Sequence, residues 1–454
     1  MVARCEETSA VHGSGEPVKT KLHRIAEKAR REPGVKFTSL YHLMNEELLR
    51  GCFKRLRKDA AAGIDKMTKD IYAENLEVNL SNLIERLKRR AYIPQPVRRK
   101  YIPKPGSTKQ RPLGIPCFED KLVQAGLVRI LETVYEQDFS EDSYGFRPAR
   151  SCHHALKSLS ETVENKPVNH IVEADIKGFF DNVNQDWLMK FLAHRIADKR
   201  IQRMVKRFLK AGVAEDGSVT VSDEGTPQGV VISPLLANIY LHYALDLWFE
   251  KVYRKSCTGF ARLIRYADDF VVCFQHKADA ERFRMELGKR LGKFGLEVEP
   301  TKTRAMEFGR FAVQHAKRRG ERAKTFDFLG LTHYCGTKRD GTGFRMKRVT
   351  ARKKFIAKLR IFKDWLKKAR NLPTKELWET AKAKLRGHYN YYGVTDNLRG
   401  IARYGQEVKR LLFKWLNRRG KKNCLNWEKF QEMLKRFPLP QPRIRVSMFE
   451  FSVN

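Results

Sequence analysis

Ala261-Arg-Leu-Ile-Arg-Tyr-Ala-Asp-Asp-Phe-Val-Val-Cys-Phe274 sets two adjacent aspartates, Asp268 and Asp269, between two apolar runs. The pattern predicts a strand, a tight turn and a second strand. Neighbouring carboxylates at a hairpin tip repel each other and destabilise the tip unless a cation joins them. Hard oxygen ligands suit Mg²⁺, which keeps several waters and draws further oxygens from substrate phosphates. The segment therefore points to metal-assisted phosphoryl chemistry, with a solvated Asp-Asp turn as the competing reading.

A two-metal clamp needs a further carboxylate. Val172-Glu-Ala-Asp-Ile-Lys-Gly-Phe-Phe-Asp-Asn-Val183 offers Asp175 at the end of a predicted strand, and its side chain can project beside the hairpin tip. Gly178 would permit close approach of a phosphate. Asp181 reads as a cap for a following helix, and strand termination is the plain alternative for Asp175. Between the two aspartate segments lies Gly225-Thr-Pro-Gln-Gly-Val-Val-Ile-Ser-Pro234. Gln228 beside Gly229, just ahead of a helix, suits contact with a nucleotide backbone; a simple loop is the alternative. Lys104 and Arg111 sit on a predicted hairpin that could fold over a triphosphate, or they are ordinary surface charge.

The bulk composition agrees with a polyanionic partner. The chain has 454 residues and a formal charge of +39, from 91 Lys+Arg against 52 Asp+Glu. Such an excess repels itself in a compact protein that has no polyanion to bind. Residues 341–454 hold 30 Lys+Arg and 8 Asp+Glu, a net of +22, so more than half the excess lies in the last quarter. Trp365, Trp378, Trp415 and Trp427 lie there too. Basic residues interleaved with aromatics suit backbone neutralisation and base stacking, although these Trp can equally form a core. The eight Cys show no Cys-x-x-Cys pair, which argues against a zinc site or a disulfide framework. They fit reduced thiols and a cytoplasmic location. No apolar stretch approaches the ~18–20 residues that span a bilayer, and the N-terminus has no signal-peptide pattern.

Along the chain, residues 1–37 read as a flexible segment, with Gly13, Gly15, Pro17, Pro33 and Gly34 as breakers. A helix capped by Thr38 or Ser39 is expected through Leu40, Leu43, Leu48 and Phe53, and another over 68–90. Residues 94–116 predict a basic hairpin whose prolines place its strands at a sheet edge. Helices follow at 119–137, from Ser233 (as N-cap, with Pro234 at the first position) to about Tyr253, and at 278–294. Strands are expected at 169–176 and 326–334. The composition shifts after Gly341 and Gly343, which marks a boundary. Beyond it, Phe355, Leu359, Phe362 and Leu366 keep helical spacing, and further helices are expected at 374–386 and 399–417. Interspersed helices and short sheets make the fold class α+β.

Taken in order, these blocks resemble a right-hand reverse transcriptase of the group II intron type. They are Tyr101-Ile-Pro-Lys-Pro-Gly with Arg111-Pro-Leu-Gly-Ile-Pro, then Ser143-Tyr-Gly-Phe-Arg-Pro-Ala-Arg150, then Ala174-Asp-Ile-Lys-Gly-Phe-Phe-Asp181. Thr226-Pro-Gln-Gly-Val-Val-Ile-Ser-Pro-Leu-Leu-Ala-Asn238, Tyr266-Ala-Asp-Asp, Phe294-Gly-Leu-Glu-Val-Glu-Pro-Thr-Lys-Thr303 and Phe328-Leu-Gly follow. Leu385-Arg-Gly-His-Tyr-Asn-Tyr-Tyr-Gly393 is similar to the family's maturase motif.

The resemblance implies fingers and palm over 94–340, preceded by an RNA-contacting extension at 38–93 and followed by an α-helical thumb/maturase domain at 341–454. It implies Asp175, Asp268 and Asp269 as catalytic metal ligands, helped by the Ile176 carbonyl, for two Mg²⁺ ions, with Mn²⁺ able to substitute. Lys104 and Arg111 would bind the triphosphate, Phe180 would gate against a 2′-OH, and Gln228 would contact the nucleotide or primer side. Lys302 and Arg386 are RNA-contact candidates, whereas Gly387, Tyr389, Tyr391 and Tyr392 would pack the maturase domain. The partners implied are group II intron RNA, an RNA template, a DNA primer or target, and dNTPs, with no membrane. The family's paired-Cys nuclease does not follow by Asn454, so second-strand cleavage is not expected of this polypeptide. Two rivals stay open: a domesticated reverse transcriptase of a defence, retron or CRISPR-linked system, and a splicing factor that only binds RNA. An RNA-dependent RNA polymerase is disfavoured by Phe180.

Overall fold

The computed structural model describes residues 17–449 apart from 104–109, 216, 221–224, 227, 339 and 420–424. Its strands are β1 (Val97–Pro103), β2 (Gln110–Ile115), β3 (His170–Asp175), β4 (Val213–Glu215), β5 (Ser218–Thr220), β6 (Ala261–Tyr266), β7 (Asp269–Phe274), β8 (Arg304–Glu307), β9 (Phe326–Phe328), β10 (Leu331–Thr337) and β11 (Phe344–Thr350). They form three sheets of order β2-β1-β4-β5, β6-β7-β3-β8 and β11-β10-β9. Helices cover the sheets and dominate the last hundred residues, so the fold is α+β.

The second sheet divides the molecule. Its central strands are buried on both faces, and strand alternation sends successive side chains to opposite sides. Phe270, Val272 and Phe274 join one core, with Tyr240, Leu245, Phe283 and Leu287 from the helices behind the sheet. Val271 and Cys273 join another, with Leu156 and Leu159 of helix Cys152–Asn165. That second core continues without a break into Trp378, Leu385, Tyr389 and Leu412 of the C-terminal helices. Two of the four late tryptophans, Trp378 and Trp415, are core residues, whereas Trp427 is 47% exposed.

Several expectations are corrected. Residues 18–31 are a helix, not a flexible segment: Val18, Leu22 and Ala29 share a buried stripe, and the Val18 N–H donates to the Glu47 carboxylate. Thr38 and Ser39 cap nothing. Tyr41–Leu43 is a single 3₁₀ turn, and Asn45 caps helix Glu46–Arg55 through the Leu48 N–H. The span 68–90 is two helices, Lys69–Glu74 and Leu76–Lys88, broken at Asn75. Of the two hairpin strands β2 lies at an edge, whereas β1 is interior, because β4 pairs with Val97 and Arg98 and so stays clear of Pro103. Ile232 is the N-cap position of helix Ser233–Leu241, with Ser233 already helical. That helix continues through π-helical turns at His242–Asp246 and Phe249–Tyr253. The span 326–334 is not one strand, because Leu329 (φ +50°) and Gly330 (φ +77°) turn the chain between β9 and β10. Two positive φ values are what a type I′ hairpin turn requires. The compositional boundary at 341–343 falls in the turn between paired strands β10 and β11, and helical structure begins at Arg352.

Candidate active site

Hairpin β6–β7 turns at Ala267-Asp268, with Tyr266 and Asp269 as the last paired residues. β7 also pairs with β3, and there Asp175 stands directly across from Asp269. Two strand ends and one turn thus bring Asp175, Asp268 and Asp269 to the same end of one sheet. Asp175 is 94 positions from Asp269 in sequence, and only the antiparallel register joins them.

The carboxylates strain against one another. Burial, reinforced by Asp268, Asp175 and Glu173, pushes the Asp269 pKa up to about 7, against the opposing hydrogen bond from the Leu329 N–H. Burial also raises the Asp268 pKa, with Asp175 adding repulsion and Arg111 and Arg265 opposing it. The Lys302 ammonium pairs with Asp175 Oδ2. Lys302, expected as an RNA-contact candidate, therefore stands beside the carboxylate cluster; the two lie 127 residues apart.

The other predicted residues divide. Arg111 is exposed on β2, near enough to act on Asp268. Ile176 follows Asp175 with its side chain buried and is bridged to Val298. Phe180 lies in a 3₁₀ turn after Gly178, which adopts φ +55°. The Phe180 carbonyl accepts the Thr226 N–H at 2.8 Å, tying this turn to the loop that carries Gln228. The Gln228 carbonyl accepts the Gly114 N–H at 2.7 Å, so that loop is seated on β2. Gln228 Nε2 reaches Asp181 Oδ1 at 3.5 Å. Asp181 caps no helix; Asn184 caps Gln185–Ala193 instead. Lys104 lies outside the described residues. Arg386 is exposed on helix Thr374–Tyr392, and none of its described contacts is to the carboxylates.

With this geometry in place, the comparisons decide the family. Residues 102–333 match the family described as reverse transcriptase (RNA-dependent DNA polymerase). The chain belongs to the reverse transcriptase family. Similar proteins include "Group II intron-encoded protein LtrA" of Lactococcus lactis subsp. cremoris, 40% identical over 227 residues, which covers 50% of this chain and 38% of that protein. "Protein YkfC" of Escherichia coli is 34% identical over 53% of this chain and 71% of its own length. "Nuclear intron maturase 2, mitochondrial" of Arabidopsis thaliana is 26% identical over 29% of this chain and 23% of that protein. These relatives support a group II intron reverse transcriptase/maturase. The match spans well under half of the LtrA length.

At the tip, the described carboxylates of Asp175, Asp268 and Asp269 offer oxygen donors. Among the described residues, no three His, Cys, Asp or Glu side chains close into a ready-made metal cage. Mg²⁺ does not require one, since it binds through one or two carboxylates, waters and substrate phosphates. Mutually repelling carboxylates, one of them drawing in a lysine ammonium, fit such a cation. Among the described residues no helix is long and apolar enough to cross a membrane.

Sequence reasoning missed Glu173, Arg265, Asp246 and Asn238. Arg265 carried a signal, because it is a charged residue inside a strand otherwise buried on both faces. Its partners carried none, since Asp246 and Asn238 lie on a helix 19 and 27 residues earlier.

Proposed function

We propose that the chain is an RNA-directed DNA polymerase that binds group II intron RNA, assists its splicing and copies it into DNA during retrohoming. The observation that carries the reading is the cross-strand apposition of Asp175 and Asp269, with Asp268 beside them at the end of one sheet. Asp175, Asp268, Asp269 and the Ile176 carbonyl would hold the Mg²⁺ ions, which when bound supply activation of a primer 3′-OH and charge neutralisation on the departing pyrophosphate.

The remaining residues bind and orient. Arg111, with Lys104, would neutralise the triphosphate, since a guanidinium matches phosphate geometry with two parallel hydrogen bonds. Phe180 would sit under the sugar and exclude a 2′-OH, and the Gln228 loop would meet the nucleotide from the β2 side. The basic C-terminal helices would neutralise an RNA backbone.

Primer extension on poly(rA)/oligo(dT) with dTTP tests this reading. Asp268→Ala is expected to lower the rate by roughly 10³-fold or more, because each tenfold is ~1.4 kcal/mol and a metal clamp supplies several. RNA affinity should stay within about threefold of wild type, since the substitution removes no cation that pairs with phosphate. Wild-type protein that binds RNA but never extends would favour a splicing-only role. Extension by the variant at the wild-type rate would remove the assignment of the carboxylates.

A further inference from the structure

The carboxylate tip stands on a turn held from behind by one buried guanidinium. Ala267 adopts φ +57°. For a residue with a Cβ, that left-handed conformation costs about 1–2 kcal/mol and persists only where its surroundings enforce it. Arg265, two residues earlier, is 0% exposed. Its Nη1 donates to the Ala267 carbonyl at 3.0 Å and to Asn238 Oδ1 at 3.1 Å. Its Nε donates to Asp246 Oδ1 at 2.8 Å, and Nη2 takes the other Asp246 oxygen.

Both partners come from the helix behind the sheet, and each is 1% exposed. Asp246 closes the π-helical turn His242–Asp246; such one-turn insertions recur at functional sites. Asn238 also donates from Nδ2 to the Gly145 carbonyl at 2.7 Å. Gly145 in turn lies so close to the tip that a Cβ there would come within 2.3 Å of the Ala267 nitrogen. Helix, loop and hairpin thus converge on the turn through Arg265.

We propose that Arg265, braced by Asp246 and Asn238, is a positioning residue: it holds the Ala267 turn and thereby aims Asp268 and Asp269, without itself touching substrate. The proposal rests on the polymerase reading of the same site. Stability alone does not account for the arrangement, because a well-packed apolar pair commonly replaces a buried ion pair at no cost or with a gain. An apolar pair cannot donate to the Ala267 carbonyl or to Asn238. A misplacement of ~1 Å at reacting groups can cost ~10²-fold in rate.

The test is the double variant R265M/D246L, which removes both charges together and leaves no stranded buried ion. It is assayed as the full chain on poly(rA)/oligo(dT) with dTTP and titrated Mg²⁺. We expect a thermal midpoint within a few degrees of wild type, unchanged template–primer affinity and a dTTP KM within about threefold. Against that background kcat should fall ~30- to 100-fold and half-maximal Mg²⁺ should rise about fivefold. R265K keeps a cation beside Asp246 but lacks the planar fork that reaches Ala267 and Asn238 together. It should fold and show the same kcat loss, and it decides the question if the double variant does not fold. A stable variant of either kind with wild-type kcat and Mg²⁺ requirement overturns the proposal, as does unfolding of both, which would make the network structural. Failure of the wild type to extend in the same assay would instead overturn the polymerase reading.

Discussion

Gly145 shows how little room surrounds the carboxylate tip at the scale of single residues. Besides the approach to the Ala267 nitrogen, a Cβ at this position would lie 2.9 Å from the Tyr266 carbonyl carbon. Both are backbone atoms, so no side chain can swing aside. Gly145→Ala is expected to destabilise the protein by about 1–3 kcal/mol, the usual cost of overpacking, and to slow extension. Thermal unfolding and primer extension measure the two effects, and wild-type values in both would contradict the packing described. At this scale the aspartates were legible, because an Asp-Asp pair between apolar runs is a local pattern. The pairing of Lys302 with Asp175 was not, because a lysine's sequence neighbours do not reveal which carboxylate a fold brings to it.

Helix Thr374–Tyr392 and helix Leu398–Leu416 meet through a histidine that is held neutral. The His388 ring stacks on Tyr404 with centroids 3.6 Å apart and planes at 10°. Neither ring nitrogen has a hydrogen-bond partner among the described residues. Burial, with Lys358 adding repulsion, brings its pKa down to about 3. The folded pKa thus lies below the unfolded value of ~6.5. Its stabilisation is therefore complete above about pH 6.5 and is lost as pH falls from there toward 3. Between pH 7 and pH 5 the wild type should lose ~2 kcal/mol relative to His388→Phe, which keeps a stacking ring but cannot titrate. Urea unfolding at the two pH values measures the difference, and parallel profiles would contradict it. Elements with long periodic patterns, such as these two helices, were legible. Helix Val18–Arg31 was hidden by its flanking glycines and prolines, since its order comes from docking on Glu47 and the core.

The charge of +39 belongs to the molecule as a whole. If the basic surface neutralises an RNA backbone, binding releases counterions and must weaken steeply with salt. With roughly six to ten phosphate contacts, affinity should fall ~10³- to 10⁵-fold between about 50 and 200 mM salt. Filter binding across that range measures the slope, and a fall of less than tenfold would mean that most of the charge faces solvent in the complex. Composition pointed to a polyanionic partner, and motif order pointed to the family and the reaction expected of it. These are properties of residue type and spacing, which need no coordinates. Only the tertiary structure decided that Asp175 faces Asp269, that Lys302 closes on the same cluster, and that Arg265 reaches the turn from behind. Each depends on register between distant strands or on helix packing across the sheet. One core is shared by the palm sheet and the C-terminal helices because successive side chains of β7 face opposite sides, and that alternation acquires its meaning only when both sides are covered.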